Sequence, residues 1–90
     1  MKRYVIERTI PGAGKLTGAQ LHDISAKSCD ILRSMGKDIQ WEHSYVTGDK
    51  VYCVYLAESP ELLQRHATAG GFPIDRVSEV TSIIDPTSEN

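Results

Sequence analysis

The 90-residue sequence predicts one α+β domain of the ferredoxin-like type, with a four-stranded antiparallel sheet and two helices on one face. Two observations predict it. Strand-like and helix-like segments follow one another in the order βαββαβ, and the chain is long enough for only one modest core. Such a sheet has one face that no helix covers. A small domain buries only a limited fraction of its surface, so covering this face with a second copy of the chain would add apolar burial. We therefore predict a homodimer of the dimeric α/β-barrel type.

The first strand and helix are marked by turn and capping residues. Residues 3–10 are rich in β-branched side chains and are stopped by the Pro and Gly of residues 11–14. Thr17 and Gln20 have the spacing of a capping box, in which each residue satisfies a backbone N–H of the other. Apolar residues then recur at helical spacing, and Gly36 provides the C-terminal stop.

Two strand-like runs, residues 39–47 and 51–57, predict a β-hairpin with a register that the sequence leaves open. A two-residue turn at Gly48-Asp49 would place His43 and Cys53 on different faces of the sheet. A three-residue loop would place them on the same face. The choice matters because these two side chains are candidates for chemistry.

The second half of the chain begins with a helix-start signal, Ser59 as N-cap followed by Pro60 at the first helical position. The inward stripe of this helix is predicted to contain Leu62, Leu63, His66 and Ala67. The helix is predicted to end at Gly70-Gly71, and residues 76–84 are predicted to form the last strand. We expect residues 1–90 to form the single domain, with residues 85–90 as a polar C-terminal tail.

Composition limits the classes of partner. The chain has 40% hydrophobic and 24% charged residues and a formal net charge of -2. This balance provides no strong attraction to phosphate backbones or anionic lipid, and no apolar run approaches the length of a membrane span. We therefore expect a soluble cytoplasmic protein that binds neither nucleic acid nor membrane. Cys29 and Cys53 have no short spacing and are expected to be reduced thiols.

Several segments in the same order resemble the small nickel-binding-protein-like family, formerly a domain of unknown function. They are Val5-Ile6-Glu7-Arg8, Ile10-Pro11-Gly12, Tyr52 to Ala57, Ser59 to Ala67, Gly71-Phe72-Pro73 and Asp75 to Val80. The resemblance covers about residues 4 to 80 and implies the ferredoxin-like fold, a homodimer, and nickel or another divalent transition metal as ligand. Where nickel-binding members carry histidines near the end of the first strand, this chain has Glu7, Arg8 and Thr9.

A binding protein is the first functional hypothesis, with a transition metal or small ligand at the sheet face or dimer interface. Imidazole and thiolate suit nickel, zinc or copper, and carboxylate can complete a mixed site. The candidate metal ligands are His43, Cys53, His66, Glu7 and Glu79. Structural roles compete with this hypothesis: an apolar filler for Cys53, a packed helix residue for His66, and solvated carboxylates for Glu7 and Glu79.

A cofactor-free enzyme is the alternative, in which two sheets enclose a chamber and a histidine moves a proton as in monooxygenase- or isomerase-like proteins. Trp41, His43 and Tyr45 follow the two-residue spacing of a strand, so we expect them on one face as an aromatic-walled pocket. A small interaction module without chemistry is a third hypothesis, with a dry, filled interface between sheets as its signature.

Overall fold

The computed structural model describes residues 1–90 and has the predicted ferredoxin-like arrangement. Its strands are β1 (Lys2–Thr9), β2 (Ile39–Val46), β3 (Lys50–Ala57) and β4 (Arg76–Glu79), and its helices are α1 (Gly18–Met35) and α2 (Pro60–Gly70). Short 3₁₀ helices occupy Ala13–Lys15 and Pro86–Glu89. Neither α-helix combines the length and the apolar character needed to cross a membrane.

The four strands form one antiparallel sheet in the order β2-β3-β1-β4. Burial alternates along β1, where Tyr4 and Ile6 are buried while Val5 between them is only half-buried. Successive strand side chains point to opposite faces, so this alternation separates a covered face, on which the helices pack, from an open face. The core lies on the covered face and contains Tyr4, Ile6, Ile39, Cys53, Tyr55, Ala57 and Leu63.

Capping residues start the helices largely as predicted. The Thr17 backbone N–H donates to Gln20 Oε1 at 2.9 Å, and the Gln20 backbone N–H donates to Thr17 Oγ1 at 3.2 Å, which completes the capping box of α1. Ser59 occupies the N-cap of α2 and Pro60 follows it, but the Ser59 hydroxyl makes no capping hydrogen bond. Pro60 lacks an N–H and so reduces the number of groups that need a cap.

Of the two registers considered, the β2–β3 hairpin has the one with a two-residue turn. Thr47 lies opposite Lys50, His43 pairs with Val54, and Cys53 pairs with Ser44. His43 and Cys53 are therefore on opposite faces of the sheet.

A β-bulge at Glu42 overturns the expected pocket of Trp41, His43 and Tyr45. The pairing shifts between Trp41 and His43, so that Glu42 is the extra residue. Trp41 pairs with the buried Tyr55 on the covered face, and its Nε1 donates to Ser44 Oγ at 2.9 Å. Strict alternation fails here because a bulge adds one residue without a partner. His43 and Tyr45 stay together on the open face.

The last strand is shorter than predicted, because β4 ends at Glu79 rather than at residue 84. Its partner β1 begins at Lys2, and the last backbone bond between them joins the Val80 N–H to the Arg3 carbonyl. The following residues have no neighbouring strand to pair with, and Ile84 is 82% exposed despite its apolar side chain. In the predicted tail, the side chain of Asp85 caps the 3₁₀ turn at Pro86–Glu89.

Candidate functional site

The open face of the sheet carries an apolar centre and an exposed imidazole. Val5 and Val54 pair across β1 and β3, and His43 pairs with Val54 from β2, so the three side chains form one row. His43 is exposed, and its ring meets that of Tyr45 edge-on, with centroids 5.0 Å apart at 78°. His43 is therefore the candidate ligand best placed to meet a solute or a second chain on this face.

The two acidic candidates do not form a carboxylate pair. Glu7 lies on the open face, opposite Arg76 of β4. Glu79 lies opposite Tyr4, on the other face, and forms a 3.2 Å ion pair with Lys2 Nζ. The two glutamates lie on neighbouring strands, as expected. The register nevertheless places them at different positions along these strands and on opposite faces of the sheet.

The sulfur and the second imidazole lie under the helices. Cys53 is 5% exposed within the core, and His66 is fully buried on α2. His66 Nε2 and Ser28 Oγ of α1 form a 3.0 Å hydrogen bond, and the His66 Nδ1 has no partner. The ring of His66 packs between those of Tyr55 and Phe72, with centroids 5.5 Å and 5.4 Å away.

The end of α2 positions Phe72 beside this histidine. Gly71 adopts a left-handed conformation with φ of 67°, and the Phe72 N–H donates to the Ala67 carbonyl at 2.9 Å. This turn folds the chain back against the helix. Gly70 leaves the space for the ring, because a Cβ there would overlap it.

The five predicted metal ligands are thus divided between two faces of the sheet. No group of three or more His, Cys, Asp or Glu side chains in the chain is placed to hold a metal ion. His43 and Glu7 share the open face, but β3 lies between their strands and separates the strand axes by about 10 Å. The donors of one chain do not fit a complete nickel site, because such a site needs several ligands close together.

Sequence reasoning missed the burial of Arg8. Its side chain is 3% exposed on the covered face, and Arg8 Nη1 donates to the Pro73 carbonyl at 2.7 Å. The guanidinium carbon lies 5.6 Å from the centroid of the Phe72 ring. The alternation of β1 indicates that Arg8 is buried, because position 8 lies on the same face as Tyr4 and Ile6.

Burial and charge act together on His66. Burial lowers the pKa of His66 below its ordinary value, and the positive charge of Arg8 lowers it further, while the contact with Ser28 partly opposes both effects. Tyr55 and Cys53 are the titratable groups of β3 on this face. His66 is therefore a neutral, packed imidazole at neutral pH.

The fold and its bare face define a small ferredoxin-like α+β protein. Residues 4–80 match the family described as "Nickel responsive protein SCO4226-like", so the chain belongs to this family. The crystal structure of SCO4226 from Streptomyces coelicolor A3(2) superposes with a TM-score of 0.76 and 19% sequence identity, covering 91% of this chain and 99% of that chain. This likeness shows a shared fold. No curated protein matches the sequence.

We expect acid to destabilise the protein through His66. The folded chain holds the pKa of His66 below that of the unfolded chain, so the unfolded chain binds more protons between the two values. This contribution to the free energy of unfolding is complete above about pH 6.5 and is lost as the pH falls through the folded pKa. Urea unfolding of the wild type and His66→Gln, measured from pH 7.5 downward, tests this.

The variant His66→Gln should lose this part of the pH dependence, because glutamine does not titrate. His22→Gln is the matched control, since His22 lies exposed on α1, and it should keep the wild-type dependence. Equal slopes in the wild type and His66→Gln would show that His66 does not carry the effect.

Proposed function

We propose that the protein is a homodimer that pairs through its open sheet face and binds a divalent transition metal, such as nickel, through His43 at that interface. The observation that carries the proposal is the exposure of His43 beside the apolar centre of an uncovered sheet. Membership of a family described as nickel responsive supports the choice of metal.

The chemistry of the open face supports a second copy as the partner. Val5, Val54 and Leu56 are all half-buried there, so a facing sheet would remove their remaining apolar surface from water. The face carries charges of both signs: Arg3 pairs with Glu42 at 2.9 Å, and Glu7 lies opposite Arg76. A mixed face of this kind does not repel its own copy.

A site between two copies supplies what one chain lacks. A twofold axis repeats every residue, so a dimer presents two copies of His43 and two of Glu7 on the facing sheets. Imidazole nitrogen is a suitable donor for nickel, and carboxylate can add to it. Cys53 and His66 have no part in this interfacial site, since both are buried on the covered face, and Glu79 is ion-paired with Lys2.

An enzyme of the dimeric α/β-barrel kind is the second candidate, and the edge-on contact between His43 and Tyr45 favours it. Such a pair would offer a proton-transferring group next to an aromatic wall inside the chamber between sheets. This candidate also requires the dimer. A dimer that binds no metal would favour this enzyme over the metal-binding protein.

The dimer is tested by placing a charge at the centre of the open face. Val54→Lys should convert a wild-type dimer to a monomer in sedimentation equilibrium, because pairing would bury an uncompensated charge. Ala69→Lys is the control, since Ala69 is exposed on α2, and it should remain dimeric. A wild-type chain that stays monomeric at about 100 μM, where weak but specific complexes already form, would refute the dimer.

The metal site is tested by titration calorimetry with Ni²⁺ and Zn²⁺. His43→Ala should weaken binding at least about tenfold, or about 1.4 kcal/mol, because it removes the only histidine on the open face. His22→Ala removes an exposed imidazole on α1 and should bind as the wild type does. Equal affinities in the two variants would exclude His43 as a ligand. Undiminished binding by a monomeric Val54→Lys would exclude a site between copies.

A further inference from the structure

A cavity of about 100 Å³ lies between the N-terminal half of α1 and the sheet, on the covered face. Ten of its fourteen lining residues are hydrophobic, so its walls favour an apolar occupant. They include Leu21 and Ile24 of α1, Trp41 of β2, Val51 of β3, and Phe72. This cavity is separate from the open face that carries His43.

Arg8 contributes an unusual group to the lining of this cavity. The side chain is 3% exposed, its Nη1 is bound to the Pro73 carbonyl, and its Nη2 is buried without any partner. The ion pairs of the chain all involve other residues. A buried cation without a counter-charge is strongly unfavourable, so an anion beside Nη2 would complete the arrangement.

The other polar residues that line the cavity are few, and none of them is an aspartate or glutamate. These residues are Ser25, Ser28, Ser44 and Tyr55. Burial raises the pKa of the Tyr55 hydroxyl, which therefore stays protonated and able to donate a hydrogen bond. The three serines are already hydrogen-bonded: Ser25 to the Leu21 carbonyl, Ser28 to His66 and Ser44 to Trp41. Arg8 therefore provides the free charged donor.

We propose that this cavity binds a small monocarboxylate with a short apolar body, whose carboxylate pairs with the free Nη2 of Arg8. One negative charge is enough to neutralise the single positive charge of Arg8. A second charge, as on a phosphate or a dicarboxylate, would be buried without a partner. The apolar walls cover the hydrocarbon part. A cavity of roughly 150 Å³ holds benzene, so this smaller one suits an acid no larger than benzene, with about three or four carbon atoms.

The chain carries its own reporter for this site. Its single tryptophan, Trp41, lines the cavity, and the Trp41 Nε1 is hydrogen-bonded to Ser44 on the same wall. An occupant would change the surroundings of the indole and therefore its fluorescence. Ligands of this size bind in the micromolar to millimolar range, which sets the concentrations to use.

The experiment titrates propionate, isobutyrate and butyrate into the wild-type protein at constant ionic strength and follows Trp41 fluorescence. The matched controls are propionamide, isobutyramide and butyramide, which have nearly the same shape and no charge. At least one acid should give a saturable change, and its amide should bind at least tenfold more weakly. No saturable change with any acid at millimolar concentration, or equal binding of acid and amide, would overturn the proposal. This comparison needs no variant.

Arg8→Met provides the second test, because it removes the charge and keeps an apolar side chain of similar length. The variant should lose the response to acids while its thermal midpoint without ligand stays equal or rises, since an unpaired buried charge has been removed. Arg65→Met is the control, because Arg65 is exposed on α2, and it should respond to acids as the wild type does. Acid binding by Arg8→Met at wild-type affinity would contradict the assignment of Arg8.

Discussion

The antiparallel pairing of β1 with β3 is the constraint on which the rest of the structure depends. These two strands form the centre of the sheet, and their register assigns each side chain to the face under the helices or to the open face. Tyr4, Ile6 and Arg8 alternate with Arg3, Val5 and Glu7. Because the period is two residues, a shift by one position would exchange the two sets. One register therefore determines that Ile6 and Arg8 are buried and that the half-buried Val5 lies on the open face.

Sequence patterns were sufficient for the order of the elements and for most of their ends. The capping box at Thr17, the proline at the start of α2 and the glycines at the ends of both helices act locally, so a short segment contains the information. The length of β4 depends instead on where β1 begins. The bulge at Glu42 also could not be predicted, because it depends on how β2 fits its neighbour and not on the alternation of β2 itself.

The candidate site was less predictable than the fold, for a physical reason. Residue types identify possible donors, but the sheet decides which donors meet, and it separates His43 from Cys53 and His66. His66 was expected on the inward stripe of α2, and its full burial agrees with that pattern. Arg8 was overlooked because arginine is normally exposed, and its role as a buried cation is visible only once the helices cover that end of the sheet.

The two faces of the sheet offer two different chemistries. The open face has an exposed imidazole, mixed charges and apolar surface, which suit contact with a second chain and a metal ion. The covered face has a cavity with one uncompensated cation, which suits a small acid. The chain belongs to a family described as nickel responsive, yet its own donors do not assemble within one copy. Assembly and ligand binding therefore need to be measured separately.

The division of the sheet into a covered and an open face is tested most directly by the reactivity of the histidines. Diethyl pyrocarbonate modifies accessible neutral imidazoles, and mass spectrometry of peptides gives a rate for each of the three histidines. Fully buried His66 should react at least about tenfold more slowly than exposed His22 in the native protein and at the same rate in urea. Modification of native His66 as fast as His22 would contradict the packing of α2 against the covered face.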